Sequence, residues 1–425
     1  MTRTMKNSGI EWIGEIPEAW CTVKIKYLCN FYNGYAFDSS DFKFDGNCSV
    51  VRIGDISQGT INLDTCAKVE SDSTTLSKYA LRKDDIVIAL SGATIGKVGY
   101  IEITPDNTYI NQRVAIIRSD INRLIYQWLN AGYISSNIPI LSNSSAQPNI
   151  STQTIGNLFV SLPSSSLESQ KIADFLDEKC SHIDSVLEKT RASIEEYKQL
   201  KQSVITQAVT KGIRPNRSMK DSGNLWFGNI PSDWNVFKAK YLFSIKKDIA
   251  GEEGYTVLSI TQRGIIPKDI SKNEGQMAEN YSKYQLVSEG DFAMNHMDLL
   301  TGWVDISKYN GVTSPDYRVF VLNRKDICNK QFYLYLMQMC YFNKIFYGLG
   351  QGVSGLGRWR LQADKFLNFC LPNPPINEQQ EIVSYLDEKC SEIDKLITKK
   401  ERLIEDLETY KKSLIYEYVT GKKEV

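Results

Sequence analysis

Histidine is nearly missing from this chain. Two occur in 425 residues, His182 and His296, which leaves a histidine-based zinc site or catalytic triad almost nothing to work with. The nine cysteines are scattered, with no Cys-x-x-Cys pair, the pattern of reduced thiols rather than of a metal site or disulfide framework. No stretch approaches the roughly 18 apolar residues of a membrane span. The first residues carry no signal-peptide core, so a cytoplasmic location is the expectation. Neither charge is in excess, 50 basic residues against 50 acidic. There is thus no general polycation, and any nucleic-acid contact must come from local patches.

What is present is repetition. The string Leu-Asp-Glu-Lys-Cys-Ser-x-Ile-Asp occurs from Leu176 to Asp184 and again, 210 residues later, from Leu386 to Asp394. Each copy sits in a run of about forty residues free of Gly and Pro, which reads as one uninterrupted helix of roughly 60 Å. Ser165 with Glu168, and Asn377 with Gln380, have the spacing of capping boxes. Gly212 and Gly421 supply stops, and Pro215 bars continuation of the first helix. In the second copy Ile393, Leu396, Leu403, Leu407, Tyr410 and Leu414 step by threes and fours. In the first, Ile183, Val186, Tyr197, Leu200 and Val204 match them, with Thr190 and Ser193 between. So long and narrow a seam predicts a two-helix coiled coil.

A second repeat opens each half. Trp12-Ile13-Gly14-Glu15-Ile16-Pro17 returns as Trp226-Phe227-Gly228-Asn229-Ile230-Pro231, and Lys26-Tyr27-Leu28 as Lys240-Tyr241-Leu242, both 214 residues on. Because Trp12, Trp20, Trp226 and Trp234 recur in pairs, they read as packing anchors rather than base-stacking platforms. Two copies of a large unit imply a pseudo-two-fold particle; a solenoid needs more and shorter repeats.

Between head and helix, each half carries short β-branched runs bounded by Gly or Asp. In the first these are residues 50–56, 85–90 and 113–117; in the second, 256–260, 290–294 and 318–322. The order is shared, but the loops hardly match. Ser91-Gly92-Ala93-Thr94-Ile95-Gly96-Lys97 stands where the second half has His296-Met297-Asp298-Leu299-Leu300-Thr301-Gly302. Each body then closes with a short apolar helix and a small polar loop, residues 142–149 and 348–360. Divergent loops on duplicated scaffolds predict two related tasks on two different targets.

Two motifs suggest chemistry and fail inspection. Asn373-Pro374-Pro375 is followed by Ile376, not by the aromatic that would stack on a flipped adenine, so it reads as a proline corner. Gly350-Gln351-Gly352-Val353-Ser354-Gly355 has no Gly-Lys-Ser/Thr after it, which argues against a phosphate-cradling loop. Asp84-Asp85 and Glu289-Gly290-Asp291 are read as turns before strands.

The paired heads, the junction running from Leu371-Pro372-Asn373 to Ile382 with its weaker twin from Leu162-Pro163 to Ile172, residues 96–99 and Asn111-Gln112-Arg113 together resemble the specificity subunit of Type I restriction-modification systems, over the full length. The resemblance implies an α+β protein of two duplicated mixed α/β target recognition domains, separated by two long helices that form an antiparallel coiled coil with pseudo-two-fold symmetry. It implies target recognition domains at 1–164 and 215–374 and helical regions at 165–214 and 375–425. Such a subunit is a non-catalytic reader of a split DNA sequence. It docks two methyltransferase subunits on its helices and joins motor-nuclease restriction subunits, a defence against phage. S-adenosylmethionine, ATP and Mg would belong to those partners, and this chain would hold no cofactor or metal.

DNA contacts are expected at Ser91, Thr94, Lys97, Asn111, Gln112, Arg113, Gln147 and Asn149 in the first domain. In the second they are expected at His296, Arg318, Gln351, Ser354, Arg358 and Arg360. These types supply hydrogen-bond forks for base edges and cations for phosphates. Each competes with the plain reading of a solvated loop residue. Arg113 and Arg318 are expected at equivalent strand positions, which favours structural roles for that pair. Two other function classes stay open at this point: a stand-alone nuclease or methyltransferase with duplicated DNA-binding domains, and a coiled-coil adaptor that binds only protein.

Overall fold

The computed structural model describes residues 3–57, 59–71, 76–138, 140–142, 148–269, 280–352 and 359–425. The chain divides into two units, Met1–Arg191 with Glu401–Val425, and Ala192–Lys400.

In the first unit the strands used below are β1 (Cys21–Lys24), β2 (Asn30–Asn33), β3 (Cys48–Val51), β4 (Ile86–Ala89), β5 (Val98–Tyr100), β6 (Thr108–Ile110), β7 (Val114–Arg118) and β8 (Phe159–Leu162). An antiparallel sheet runs in the order β5–β4–β7–β2. β4 is apolar at every position and buried on both faces, as a short continuous apolar run predicts. Its alternate residues serve two cores. Ile86 and Ile88 join Ala115 and Ile117 against helix α1 (Asn122–Asn130) and the long helices, while Val87 and Ala89 join Val114 and Ile116 against Val51 and Ile110. A second sheet contributes β6 parallel to β3, and β1 pairs with β8. Helix α2 (Thr152–Gly156) precedes β8.

The second unit rebuilds the same frame. With β9 (Asn235–Lys238), β10 (Phe243–Lys246), β11 (Phe292–Met294), β12 (Val304–Ile306), β13 (Arg318–Leu322) and β14 (Cys370–Asn373), the antiparallel sheet is ordered β12–β11–β13–β10, and β9 pairs with β14. Helix α3 (Lys330–Phe342) covers one face, and helix α4 (Ala363–Asn368) precedes β14. The turns before β4 and β11 are built alike. Asp85 and Asp291 accept from the amides of Arg82 and Ser288 at 2.8 and 2.9 Å. Arg118 forks onto Asp85 and Lys246 reaches Asp291. The residues just before, Asp84 and Gly290, have φ of 67° and 86°. These carboxylates close turns, as the sequence implied.

The register corrects one expectation. Ile88 faces Ala115, whereas Met294 faces Arg318. Arg318 therefore matches Ala115, not Arg113. Arg113 is exposed just before β7, and Arg318 opens β13 with 5% of its surface accessible.

The long helices span Ser166–Lys211 and Ile376–Val419, and their stops at Gly212 and Gly421 use φ of 74° and 70°. Ser165 caps the first helix, its Oγ accepting from the Glu168 amide at 3.2 Å. Asn377 does not cap the second. That helix starts a residue earlier, at Ile376, and the Gln379 amide already donates to the Pro375 carbonyl. In the first unit Lys411 bonds Asp184 and Arg191 bonds Glu408; in the second, Lys201 bonds Asp394 and Arg214, just past the first helix, bonds Glu381. Partner numbers fall as residue numbers rise, so the helices run antiparallel in both.

The seam differs from the one expected. Its residues are Cys180, Ile183, Leu187, Thr190 and Ile194 on the first helix, with Tyr197, Lys201 and Val204 half-buried. On the second they are Cys390, Ile393, Ile397, Lys400, Ile404, Leu407, Lys411 and Leu414. These steps alternate between three and four without a break. Leu200, Leu396, Leu403 and Tyr410 lie outside it, 40–56% exposed. The seam keeps its period through Thr190, Lys201, Lys400 and Lys411, whose polar character disguised it. A lysine stem can bury while its ammonium reaches an Asp across the seam.

Candidate nucleic-acid interface

Each long helix is fixed to its unit by the recurring strings. Trp20 donates from Nε1 to Glu168 at 3.2 Å with Arg3 stacked 5.9 Å from the indole, and Trp234 donates to Glu378 at 3.1 Å with Arg217 also at 5.9 Å. Trp20 and Trp234 are thus anchors, as expected. Trp12 stacks on Tyr133, but Trp226 is 41% exposed. Asp177 receives Arg123 and Gln127 from α1, and Asp387 receives Tyr335 from α3 at 2.6 Å. Asn373 is buried and accepts from Tyr333 at 2.7 Å and Gln379 at 3.1 Å. It closes the strand-to-helix corner, as the proline reading supposed.

At the end of β4 the first unit gathers most of the residues singled out from its sequence. The Leu90 amide donates to the Arg113 carbonyl at 2.9 Å, the Ile150 amide to Leu90 at 2.9 Å and the Gly92 amide to Pro148 at 3.1 Å, while Ser91 bridges to Asn149. Thr94 ties its hydroxyl to the Ile53 carbonyl at 2.9 Å, and the Lys97 amide returns to Thr94. The Asn111 amide binds Val51, and the Val114 amide closes the turn onto Asn111. Gln112 and Arg113 are thereby left at the tip. Lys97, Gln112, Arg113 and Asn149 are exposed, Asn111 and Thr94 are half-buried, and Ser91 is buried. The Ser91 Oγ has no hydrogen-bond partner among the described residues. Gln147 lies outside them.

At the end of β11 the second unit makes the corresponding rim from different chemistry. Gln351 and Arg360 exchange two backbone hydrogen bonds, 2.8 and 3.0 Å, and both are exposed. The Leu361 amide donates to the His296 carbonyl at 3.0 Å, as Ile150 does to Leu90. Beneath it, Arg318 donates to the Leu361 carbonyl at 2.8 Å and lies over the Phe366 ring. No carboxylate pairs with Arg318 among the described residues, and burial pulls its pKa down to about 10. Burial, with Arg318 and Arg360 nearby, pushes the His296 imidazole down to about 3, so the ring is neutral. Its Nδ1 is buried with no partner among the described residues. Arg318 and His296 therefore hold Leu361, next to Arg360, from the buried side, while Gln351 and Arg360 are exposed. Ser354 and Arg358 lie outside the described residues.

Sequence reasoning missed several supports of the second rim. Trp359 ties its indole NH to the Tyr347 carbonyl at 2.6 Å, and Asn295 accepts from the amides of Met297 and Asp298 to shape the loop. The Asn-x-x-Asp spacing at 295–298 was the available signal, since such side chains hold local turns.

The model of the Type I restriction modification DNA specificity domain matches the chain twice, over residues 17–196 and 231–407. The Type I restriction enzyme MjaVIII specificity subunit of Methanocaldococcus jannaschii is 29% identical over 212 residues, 48% of this chain and 48% of its own length. The Escherichia coli EcoBI specificity subunit is 24% identical over 248 residues, 55% of this chain and 48% of its own. The chain thus spans about half the length of these curated relatives. A solved chain, from work on complex assembly and conformational transition of the type I R-M system, shares the fold with a TM-score of 0.68 at 13% identity. That likeness covers 96% of this chain and 99% of the other. Each of the two family matches takes in one four-stranded sheet with its rim of loops and part of a long helix, and on that ground the chain belongs to the family of Type I restriction modification DNA specificity domains.

Proposed function

We propose that this chain is the non-catalytic DNA-reading subunit of a Type I restriction-modification complex, each rim reading one half of a split double-stranded target. The observation that carries the reading is one sheet, built twice in the same order, bearing two chemically unlike rims at the same point. A common scaffold supports a common docking geometry, and unlike rims support unlike sequences. Lys97, Gln112, Arg113, Asn149, Gln351 and Arg360 would touch DNA directly, and the sequence expectation for Gln147, Ser354 and Arg358 stands beside them. Ser91, Thr94, Asn111, His296 and Arg318 would hold the two rims in place. A good bidentate contact to a base contributes about 1–3 kcal/mol of discrimination.

Two methyltransferase subunits would dock on the helices. Leu396, Leu403 and Tyr410 form an exposed stripe at seven-residue spacing, and Val186, Ser193 and Leu200 are its counterparts 210 residues earlier. Restriction subunits would join that assembly, and S-adenosylmethionine, ATP and Mg would act on the partners. The test is to co-express the chain with its cognate methyltransferase subunit in a host free of adenine methylation and map the modified bases by single-molecule sequencing. A split motif with N6-methyladenine in both halves, absent without this chain, is the expected result. A stable complex that leaves DNA unmodified, or one that marks a short continuous motif, overturns the two-reader reading.

A further inference from the structure

The two halves of the chain are a comparison in themselves. Where a duplicated position is exposed and nothing constrains it, the copies should drift apart. In the heads they have done so: Asn7 against Asp221, Glu11 against Leu225, Glu15 against Asn229, Glu18 against Ser232, Ala19 against Asp233 and Cys21 against Asn235 are exposed in both copies and all differ. Among the positions that stay identical, Ile16 with Ile230 and Trp20 with Trp234 are buried, and Gly9 with Gly223 and Gly14 with Gly228 are glycine. Two exposed, non-glycine places break the rule by staying identical: Lys6 with Lys220, and the adjacent pair Lys26-Tyr27 with Lys240-Tyr241. Lys26-Tyr27 and Lys240-Tyr241 are exposed in both units, the tyrosines at 74% and 60%, and each lysine ammonium sits 5.4 Å from the ring of its neighbour.

Packing does not account for the identity. The residues that fix these single turns are Ile25 and Ala239, both fully buried, whose amides donate to Leu158 and Phe369 at 3.0 and 2.8 Å. The lysines have no carboxylate partner among the described residues, nor do Lys24 and Lys238 two residues before. The surroundings are basic as well. Residues 21–27 and 148–162 contain no Asp or Glu; residues 235–241 and 359–373 contain Asp364 alone, against Lys238, Lys240, Arg360 and Lys365.

Their place in the fold says what they face. The Lys26 turn packs on α2, where a Cβ at Gly156 would come within 3.1 Å of the Lys26 Cβ, and the Lys240 turn packs on α4. Both helices begin three residues after a rim residue, α2 after Asn149 and α4 after Arg360. From Asn149 to Gly156 the chain covers at most roughly 16 Å, counting three extended residues and one helical turn. That reach equals about five base pairs along a duplex.

We infer that Lys26-Tyr27 and Lys240-Tyr241 are a duplicated grip on the DNA phosphate backbone, one beside each rim, holding it in register without reading sequence. The inference rests on the DNA-reading function proposed above. Apart from the methyltransferase subunits docking on the long helices, readers of different half-sites share only the DNA backbone, so backbone contacts are what two diverged copies would keep in common. A protein partner is the weaker candidate, because the site presents cations with no apolar stripe, unlike the exposed face of the long helices.

The test uses the full chain in complex with its methyltransferase subunits and measures affinity for cognate and scrambled duplexes across a salt series. The variant is K26A with K240A. Binding should weaken by the same factor on both duplexes, and the slope of log affinity against log salt should fall by about two, roughly 0.9 per lost phosphate contact. The methylated motif should not change. An unchanged slope, or a loss confined to the cognate duplex, overturns the inference. So does failure of the complex to assemble, which would assign the pair to a protein interface. If the wild-type complex itself does not distinguish the two duplexes, it is the reading function that fails. Y27F with Y241F should leave thermal unfolding unchanged and confirms that the surface tolerates substitution.

Discussion

His296 sits where the first unit has Leu90, both carbonyls accepting the amide that closes the rim. A neutral, buried imidazole there makes the second unit sensitive to acid. Its folded pKa, about 3, lies below the ordinary 6.5. Between those values the unfolded chain binds a proton that the folded chain does not, so stability is complete above about pH 6.5 and is lost as pH falls toward 3. The His296→Leu variant removes that proton and restores the residue used by the other half. Thermal unfolding should then fall less between pH 7.5 and pH 5 than in the parent chain; an equal fall in both would show that the imidazole does not titrate in this way. The neighbouring arginine shows why residue roles were only partly legible. Arg113 and Arg318 each open a β-branched run, and nothing in composition distinguishes them. The register does, because Arg318 faces Met294 within the sheet while Arg113 precedes its strand.

At the scale of elements the long helices were legible in length and in their stops, because freedom from Gly and Pro over such runs is a strong signal. Of the two expected N-caps only Ser165 holds, and the antiparallel direction came from the resemblance alone. The seam was not legible. The sequence offers Leu396, Leu403 and Tyr410 one position before Ile397, Ile404 and Lys411, and the more apolar choice at the last of these is the wrong one. Two stripes a residue apart carry different duties, one packing the helices and the other facing outward. Leu187 belongs to the first and Leu396 to the second, at 4% and 40% exposure. Leu187→Ala should cost the isolated chain about 2–5 kcal/mol, the range of a truncated core leucine. Leu396→Ala should change stability by less than about 0.5 kcal/mol, as surface substitutions do. Yet it should weaken capture of the methyltransferase subunit in a pull-down. Equal destabilisation by both in urea titrations would return Leu396 to the seam.

At the scale of the whole chain, each unit is completed by the end of a long helix. In the second unit the end of the first long helix, with Ile205, Ala208 and Val209, closes a core around Ile230 and Trp234, and Lys211 donates to the Phe227 carbonyl. In the first unit the same place around Ile16 and Trp20 is filled by Leu414, Ile415 and Val419 from the end of the second helix, and Lys422 donates to the Ile13 carbonyl. Ser161 adds a hydrogen bond of 2.6 Å to the Val419 carbonyl. The repeat in the sequence foretold two like units, but not that the first would be completed by residues some four hundred positions away, since head and helix end adjoin in the chain only once. A chain ending at residue 412 therefore loses part of the first unit's core while keeping every residue of the second. Hydrogen exchange followed by mass spectrometry should show faster exchange across residues 5–33 and 86–130, with residues 219–400 protected as in the full chain. Uniform loss of protection would mean that the units do not unfold separately. Unchanged protection in residues 5–33 would mean that the last helical turns are not what holds the first head in place.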